Sequence, residues 1–213
     1  MSSSRNFPRL SRALIPGAIS KLAKCCHVAW TRGHMDGLSG NASVRIAPDL
    51  FVITASGTCK GRLKAGDFVV LSLSGEKKYG AKAASSEWRL HAAVYAAFSD
   101  ARAILHTHPA NLQALEWRVA ATPVDGSLLS SWLYETELWE KRFAVAPEAP
   151  LGSKETAENA VAALRELGDI LPRAVWLSRH GLCAAAVRIW DALDITEELE
   201  HIAKTKNKFL ATS

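Results

Sequence analysis

The amino-acid sequence predicts an α/β protein in which a central mixed or antiparallel sheet is flanked by helices. Three observations support this prediction. Residues 12–32 carry apolar side chains at helical spacing and end before Gly33. Three short β-rich runs follow between residues 43 and 73, separated by the turn signals "APD" and "LKAG". From residue 85 onwards, helical and β-rich stretches alternate, so we expect both element types in one sandwich.

The elements follow from periodicity and from capping or turn residues at their ends. A serine before an apolar helical stretch predicts a helix start, and Pro or Gly predicts a stop. The predicted elements are helix 12–32, strands 43–46, 50–54 and 67–73, a helix from Ser85 or Ser86 to Phe98, strand 103–108, a short helix 111–117, a helix at 154–167 capped by Ser153, strands 174–180 and 182–187, and helix 190–209. Residues 118–152 are the least readable, and we expect a loop with one helical turn near Tyr134.

Length and composition predict a single domain over residues 1–213, with residues 1–11 as a flexible N-terminus. Hydrophobic residues make up 48% and charged residues 22% of the chain, which is an ordinary globular balance. No apolar run approaches the roughly 20 residues that span a bilayer, so no membrane association is expected. Pro16 and Gly17 interrupt the N-terminal apolar stretch, which disfavours a secretory signal and favours a cytoplasmic protein.

The formal charge of +5 favours an anionic partner. Lys and Arg are scattered along the chain, and neither a helix-turn-helix, an aromatic RNA motif nor a zinc finger is recognisable, so nucleic acid is not the expected partner. A phosphorylated small molecule explains the charge as well. The four cysteines contain no C-x-x-C pair, which predicts buried reduced thiols rather than disulfides or a cysteine zinc site.

The stretch "ILHTHPAN" at 104–111 places two histidines at the end of an apolar run. In an extended strand, His106 and His108 project to the same side. Pro109 is tolerated at a strand end, so the pair should lie where the sheet stops and a cleft can open. Two imidazoles on one side could supply half of the ligands of a metal site. The simpler interpretation is that the two histidines lie in a loop and each bonds to a backbone carbonyl group.

The rest of the chain offers further ligands for such a site. His180 ends the strand "AVWLSRHG", so its imidazole should also emerge at a sheet edge. Glu87 lies in the first turn of a predicted helix, where an anion complements the helix dipole. The alternatives are a satisfied turn histidine and a simple helix cap. His91, four residues after Glu87, is expected to pack behind the site.

Three segments combine small residues with hydroxyl or amide donors, as phosphate-binding loops do. They are "SGNAS" at 39–43, "TASG" at 54–57 and "ASS" at 84–86, the last of which precedes a helix N-terminus. Each alone is typical of a turn or a cap. Together with a metal site they predict a binding place for an anionic small molecule.

The motifs "GNASVRI", "ITASG", "SSEWRLH", "HTHP" and "RHGL" occur in the order and approximate spacing of the class II aldolase/adducin family. The chain resembles this family over about residues 12–205. The resemblance implies an α/β/α sandwich with a largely antiparallel sheet, and a homotetramer with active sites between neighbouring subunits.

The resemblance also implies roles for individual residues. Zn²⁺ would be held by His106, His108 and His180, with Mn²⁺ or Co²⁺ as alternative metals, and Glu87 would both ligate the resting metal and move the catalytic proton. The substrate phosphate would be bound by residues of the three small-residue segments. These are Gly40, which shapes its loop, and Asn41, Ser56, Gly57, Ser85 and Ser86.

The implied activity is a zinc-dependent aldolase reaction that cleaves or forms a carbon–carbon bond in a phosphorylated ketose through a metal-stabilised enediolate. Epimerisation, or decarboxylation of a sugar-acid phosphate, on the same scaffold is the alternative. A non-enzymatic adducin-like module would lack metal ligands, whereas all four are present here. The chain departs from the aldolases at the aldehyde end, because it has no tyrosine beyond Tyr134, which is therefore the candidate acid.

Overall fold

The computed structural model describes residues 9–121, 128–129, 134–168 and 170–212. In this part of the chain the backbone forms six α-helices and one eight-stranded sheet. The helices are α1 (Arg9–Thr31), α2 (Trp88–Ala97), α3 (Ala110–Ala121), α4 (Tyr134–Glu140), α5 (Lys154–Arg165) and α6 (Ile189–Leu210). The strands are β1 (Asn41–Ala47), β2 (Leu50–Thr54), β3 (Phe68–Ser72), β4 (Lys77–Tyr79), β5 (Ala103–Thr107), β6 (Phe143–Ala146), β7 (Arg173–Leu177) and β8 (Gly181–Ala186).

The sheet is mixed and largely antiparallel, with the strand order β4-β3-β2-β1-β5-β8-β7-β6. Strands β1 to β4 form the predicted meander, and every neighbouring pair is antiparallel except β6 and β7. Strand β5 is central, because it pairs with β1 on one side and β8 on the other. The short links of an antiparallel sheet bring the ends of distant segments to the same edge.

Helices cover both faces of the sheet, which confirms the predicted α/β fold class. One apolar cluster joins the sheet to α1, α3 and α6, and the other joins it to α2 and α5. Successive side chains of strand β5 point alternately into the two apolar clusters. Ala103 and Leu105 belong to the first cluster, whereas Ile104 belongs to the second. Burial of both faces removes apolar surface from water and holds β5 rigidly in the centre.

Some element bounds differ from the expectations. Helix α1 already begins at Arg9, so residues 9–11 of the predicted flexible terminus are helical, whereas residues 1–8 lie outside the described part. Strand β4 has only exposed residues and carries no apolar pattern, and β6 lies in the stretch 118–152 that was expected to be a loop. Both are outer strands of the sheet. Their sequences have a weak hydrophobic periodicity, and pairing with the neighbouring strand determines their β conformation.

Three of the four cysteines are buried, and Cys59 is half-buried. All four are free thiols, as predicted from their spacing. Among the described helices, none has the length and apolar character needed to cross a membrane.

Candidate active site

The end of β5 places the first two predicted ligands. His106 is fully buried on β5 and lies opposite Asn41 of β1 and Cys183 of β8. The strand ends at Thr107, and α3 begins directly after Pro109, which confirms the expected strand end. The backbone N–H of His108 donates to the carbonyl of His34 at 2.9 Å. The chain therefore turns at His108 with its backbone held in place.

His180 comes from the turn between β7 and β8 and not from a strand end, because β7 already ends at Leu177. The preceding residue, Arg179, has a left-handed φ of 58°, which is unfavourable for a residue with a side chain. The carboxylate of Glu116 on α3 accepts from the Arg179 backbone N–H at 2.9 and 3.1 Å. Helix α3 thus directly follows the segment with His106 and His108, and it also stabilises the turn that carries His180.

The three imidazoles converge on one point. His106 Nε2 lies 3.1 Å from His108 Nε2 and 3.2 Å from His180 Nε2. The three side chains form a group able to hold a metal ion, with ligand atoms within 4.8 Å of one another. Nitrogens bound to one tetrahedral zinc at about 2.0–2.1 Å would lie about 3.3 Å apart. The spacing of the imidazoles therefore fits a shared divalent cation.

Hydrogen bonding sets the tautomer that a metal needs. His106 Nδ1 lies 3.0 Å from the carbonyl oxygen of Leu182, which can only accept, so Nδ1 carries the proton. When His106 is neutral, its lone pair is therefore on Nε2, the atom that faces the other two rings. Burial, together with the charges of His106 and His180, lowers the pKa of His108 to about 3. The imidazole of His108 is therefore neutral near pH 7, as a ligand must be.

Glu87 completes this group. It precedes the first turn of α2 as the N-cap residue, and no side-chain cap bond is formed there. Its Oε2 lies 3.1 Å from His106 Nε2, and its Oε1 lies 3.0 Å from His180 Nε2. Burial opposes ionisation of this carboxyl, but the adjacent His106 and His180 outweigh it and hold the pKa of Glu87 well below its usual range. The ionised carboxylate of Glu87 thus lies next to the point where the three imidazoles could bind a metal cation.

A buried hydrogen-bonded chain lies behind Glu87. Asn41 Nδ2 donates to Glu87 Oε2 at 2.7 Å, and Asn41 Oδ1 lies 2.5 Å from His91 Nε2. His91 Nδ1 is 2.7 Å from the hydroxyl of Ser43, which in turn is 2.8 Å from that of Tyr95. Burial and the charge of His106 lower the pKa of His91 to about 3, so this ring is neutral. Since Asn41 Oδ1 only accepts, His91 donates to it from Nε2, which fixes the direction of the chain.

Sequence reasoning placed His91 behind the site but missed Ser43 and Tyr95. The i, i+4 spacing of His91 and Tyr95 on α2 was the available signal, because residues so spaced share one helix face. Ser43 is a fully buried hydroxyl in the middle of β1, whose partners are visible only in three dimensions.

A cavity of about 230 Å³ opens beside the imidazoles. Its lining includes Glu87, His108 and His180 together with all six residues that were predicted to bind phosphate. The six are Gly40, Asn41, Ser56, Gly57, Ser85 and Ser86. Gly40 has a φ of 70°, and a Cβ there would lie 2.7 Å from the carbonyl oxygen of His106. Glycine is therefore required where this loop passes β5.

Two residues differ from the expectations for the cavity. Lys60 also lines the cavity and was missed, because nothing in its sequence neighbourhood distinguishes a buried lysine from a surface one. Tyr134 begins α4, is 85% exposed and is not among the described residues that line the cavity. Its role as the acid stays a prediction.

Gly181 offers a test of how tightly the histidines are held. A Cβ at this position would lie 2.5 Å from His108 Cδ2 and 2.5 Å from the carbonyl oxygen of Thr107. We expect Gly181→Ala to displace His108 and to weaken divalent-metal affinity by roughly 10- to 100-fold, as loss of ligand orientation does. Metal titration measures this, with Gly17→Ala as the control, since a Cβ at Gly17 meets nothing within 4 Å. Unchanged metal affinity in Gly181→Ala would contradict the expectation.

The fold and the site define an α/β/α protein with a candidate metal centre and an anion-binding cavity at one end of its sheet. The family model described as Class II Aldolase and Adducin N-terminal domain matches residues 20–206. The chain belongs to the class II aldolase and adducin family, as the resemblance of its motifs indicated. Members of this family generally depend on a divalent metal.

The chain is similar to several named proteins. An L-fuculose phosphate aldolase from Methanococcus maripaludis is 30% identical over 186 residues, which are 87% of this chain and 93% of that protein. A 3-oxo-tetronate 4-phosphate decarboxylase from Haemophilus influenzae is 30% identical over 177 residues, covering 82% of this chain and 80% of that protein. The crystal structure of L-fuculose-1-phosphate aldolase from Thermus thermophilus superimposes with a TM-score of 0.75 at 25% identity, covering 91% of this chain and 94% of that one.

Proposed function

We propose that this chain is a metal-dependent aldolase-type lyase that cleaves or forms a carbon–carbon bond in a phosphorylated ketose, with Zn²⁺ at His106, His108 and His180. The observation that supports the proposal is the convergence of the three imidazoles beside one cavity, which His108, His180 and Glu87 line together with six potential phosphate-binding residues. The aldolases among the relatives point to the same reaction. A bound divalent metal would supply Lewis-acid stabilisation of the negative charge that develops on substrate oxygens.

The residues of the chain perform the remaining steps of the proposed reaction. Hydroxyl, amide and backbone N–H groups around the cavity hold the phosphate and so fix the reacting carbons. In the cleavage direction the hydroxyl group on the departing carbon gives up its proton to water and becomes the aldehyde carbonyl, while the bond between the two substrate carbons breaks and its electron pair passes towards the carbonyl group of the retained fragment. Glu87 then delivers a proton to the carbon that lost its partner. Asn41 orients the Glu87 carboxylate through its 2.7 Å hydrogen bond.

The proposal is tested by metal analysis followed by product analysis. Protein purified without chelator should contain about one equivalent of divalent metal per chain, and it should convert at least one phosphorylated ketose into an aldehyde and a phosphorylated ketone. Removal of the metal should abolish the reaction, and Zn²⁺, Mn²⁺ or Co²⁺ should restore it. A protein that binds no divalent ion, or that turns over equally well without it, would contradict the proposal.

A decarboxylase acting on a sugar-acid phosphate is the second candidate function. The similarity to the Haemophilus influenzae decarboxylase favours it, because that relative is as identical to the chain as the aldolase is. In both reactions negative charge develops on the carbon next to a carbonyl group and on the carbonyl oxygen. The metal and Glu87 could therefore act in either reaction. Release of carbon dioxide from phosphorylated oxo-acids, without aldehyde formation from ketoses, would select the decarboxylase. Epimerisation would instead return an isomer of the substrate.

Ser86 allows the phosphate half of the site to be tested separately. Asn41 contacts Glu87 directly, and Ser85 Oγ accepts from the Glu87 backbone N–H at 3.3 Å, so changes at either residue would also disturb Glu87. Ser86 lines the cavity and is exposed. We expect Ser86→Ala to raise KM for a phosphorylated ketose roughly 10-fold while kcat stays within about 2-fold, because phosphate is held equally in the ground and transition states.

Steady-state kinetics would measure this split, with Ser20→Ala on the exposed side of α1 as the control. A fall in kcat with no change in KM would show that Ser86 acts on the reacting atoms instead.

We also propose that the chain assembles into the homotetramer implied by the family resemblance, with active sites between subunits. Light scattering should then give four times the chain mass of 23.1 kDa, and a monomer at working concentration would contradict the proposal.

A further inference from the structure

Lys60 is a buried ammonium group at the candidate active site. Its side chain is only 2% exposed, yet it lines the cavity that also contains Glu87 and the small-residue loops. Lysine is one of the residues least often buried, because its charge loses hydration in the interior. A buried lysine beside a cavity therefore requires an explanation.

The partners of Lys60 within the described protein are neutral. Its Nζ donates to the carbonyl oxygen of Thr58 at 2.7 Å and to that of Leu38 at 3.1 Å. An ammonium group has three donors, so these two bonds leave one unused. No described carboxylate lies within ion-pair distance of it. The charge of Lys60 is thus solvated by the backbone but not neutralised.

The surrounding charges make an anionic ligand the natural complement. Glu87, the acidic residue of the cavity lining, is already held between His106 and His180. Asp67, which acts on Lys60 only from a distance, is bound by Lys82 at 2.6 Å. Burial lowers the pKa of Lys60, so an anion entering the cavity would recover the free energy lost on desolvation of the ammonium group.

Lys60 also joins the two loops that carry phosphate-binding candidates. Leu38 lies two residues before Gly40, and Thr58 directly follows Gly57, so one ammonium group bridges both backbones. This arrangement places a positive charge where donors from both loops would meet a single ligand group. A competing interpretation is that Lys60 has only a structural role, in which its hydrogen bonds hold the two loops together.

We propose that Lys60 is the specificity-determining cation of the site, which selects a substrate carrying a doubly negative phosphate over the same sugar without it. This inference rests on the proposed function and adds to it the residue that distinguishes a charged ligand from a neutral one. A dianion would receive a charge-assisted hydrogen bond from Lys60 Nζ in addition to the neutral hydroxyl and backbone donors.

The experiment compares binding of one ketose with and without its phosphate to the metal-loaded protein. Wild type should bind the phosphorylated ketose much more tightly than the unphosphorylated one. Lys60→Met, which keeps most of the length of the side chain but not its charge, should reduce affinity for the phosphorylated ketose by roughly 10- to 100-fold. Affinity for the unphosphorylated ketose should change by less than about 2-fold, because a neutral ligand gains nothing from the charge.

Three further variants separate charge from loop fastening. Lys60→Arg should keep most of the preference for phosphate, whereas Lys60→Gln should lose it as Lys60→Met does. Lys21→Met removes one charge from the exposed side of α1 and should change neither affinity. Thermal unfolding of each variant verifies that it folds, and Lys60→Gln replaces Lys60→Met in the comparison if the latter does not.

The outcomes distinguish this inference from the proposed function. Equal losses for both ketoses in Lys60→Met would show that Lys60 only fastens the loops and would overturn the inference. An unchanged preference for phosphate in both neutral variants would overturn it as well. If wild type itself shows no preference for the phosphorylated ketose, the proposed phosphate-dependent function fails, whatever Lys60 does.

Discussion

Replacing His106 with alanine is expected to abolish both metal binding and turnover. His106 Nε2 lies within 3.2 Å of the Nε2 atoms of His108 and His180, so its loss removes the central one of three nitrogens. A missing ligand costs more than the 10- to 100-fold in metal affinity that a lost outer hydrogen bond costs, so we expect a loss of more than about 100-fold. Metal content after dialysis and titration calorimetry would measure it.

The control for this substitution is His201→Ala, which removes an exposed imidazole from α6. It should leave metal content and turnover unchanged. Thermal unfolding in the presence of chelator would show whether His106→Ala still folds. Retention of stoichiometric metal by a folded His106→Ala protein would mean that the ion is held elsewhere.

Glu87→Gln is expected to separate metal binding from catalysis. The substitution keeps the shape of the side chain and an oxygen that can accept from Asn41, but it removes the negative charge and the ability to carry a proton. Three imidazoles remain, so metal content should largely survive. Turnover should fall by roughly 10²–10⁴-fold, which is typical of a lost general acid or base.

Steady-state kinetics and metal analysis on the same preparation would test this separation, with Glu198→Gln on the exposed side of α6 as the control. If Glu87→Gln keeps full activity and only lowers the unfolding temperature, Glu87 contributes only to the stability of the fold and the proposed mechanism is wrong.

The sequence was informative where local rules decide the structure. Pro109 after the H-x-H pair predicted the end of β5, and Ser153 predicted the start of α5, where its side chain accepts from the Thr156 backbone N–H. The residues proposed as ligands and phosphate donors fell at strand ends, turns and one helix start. In a largely antiparallel sheet these ends meet at one edge, so local features from distant segments came together.

The sequence was uninformative where tertiary pairing decides. Strand β6 is recognised through its parallel partner β7, because its own four residues comprise two half-buried, one exposed and one buried residue and show no alternation. The burial of Lys60 depends on the approach of two loops, and the bonds of Ser43 depend on α2 crossing the sheet. Arg179 could not be recognised as a left-handed residue, because this conformation is held by Glu116, 63 positions away along the chain.

In the proposed mechanism, Glu87 transfers a proton to carbon at a metal centre formed by the three histidines. The most direct test of this transfer is exchange of a carbon-bound hydrogen of a phosphorylated ketone in D₂O, followed by NMR, since this step needs no aldehyde partner. We expect exchange with the metal-loaded wild type, none after metal removal, and at least about a 100-fold slower rate in Glu87→Gln. Exchange at the wild-type rate in the metal-free protein or in Glu87→Gln would contradict this mechanism.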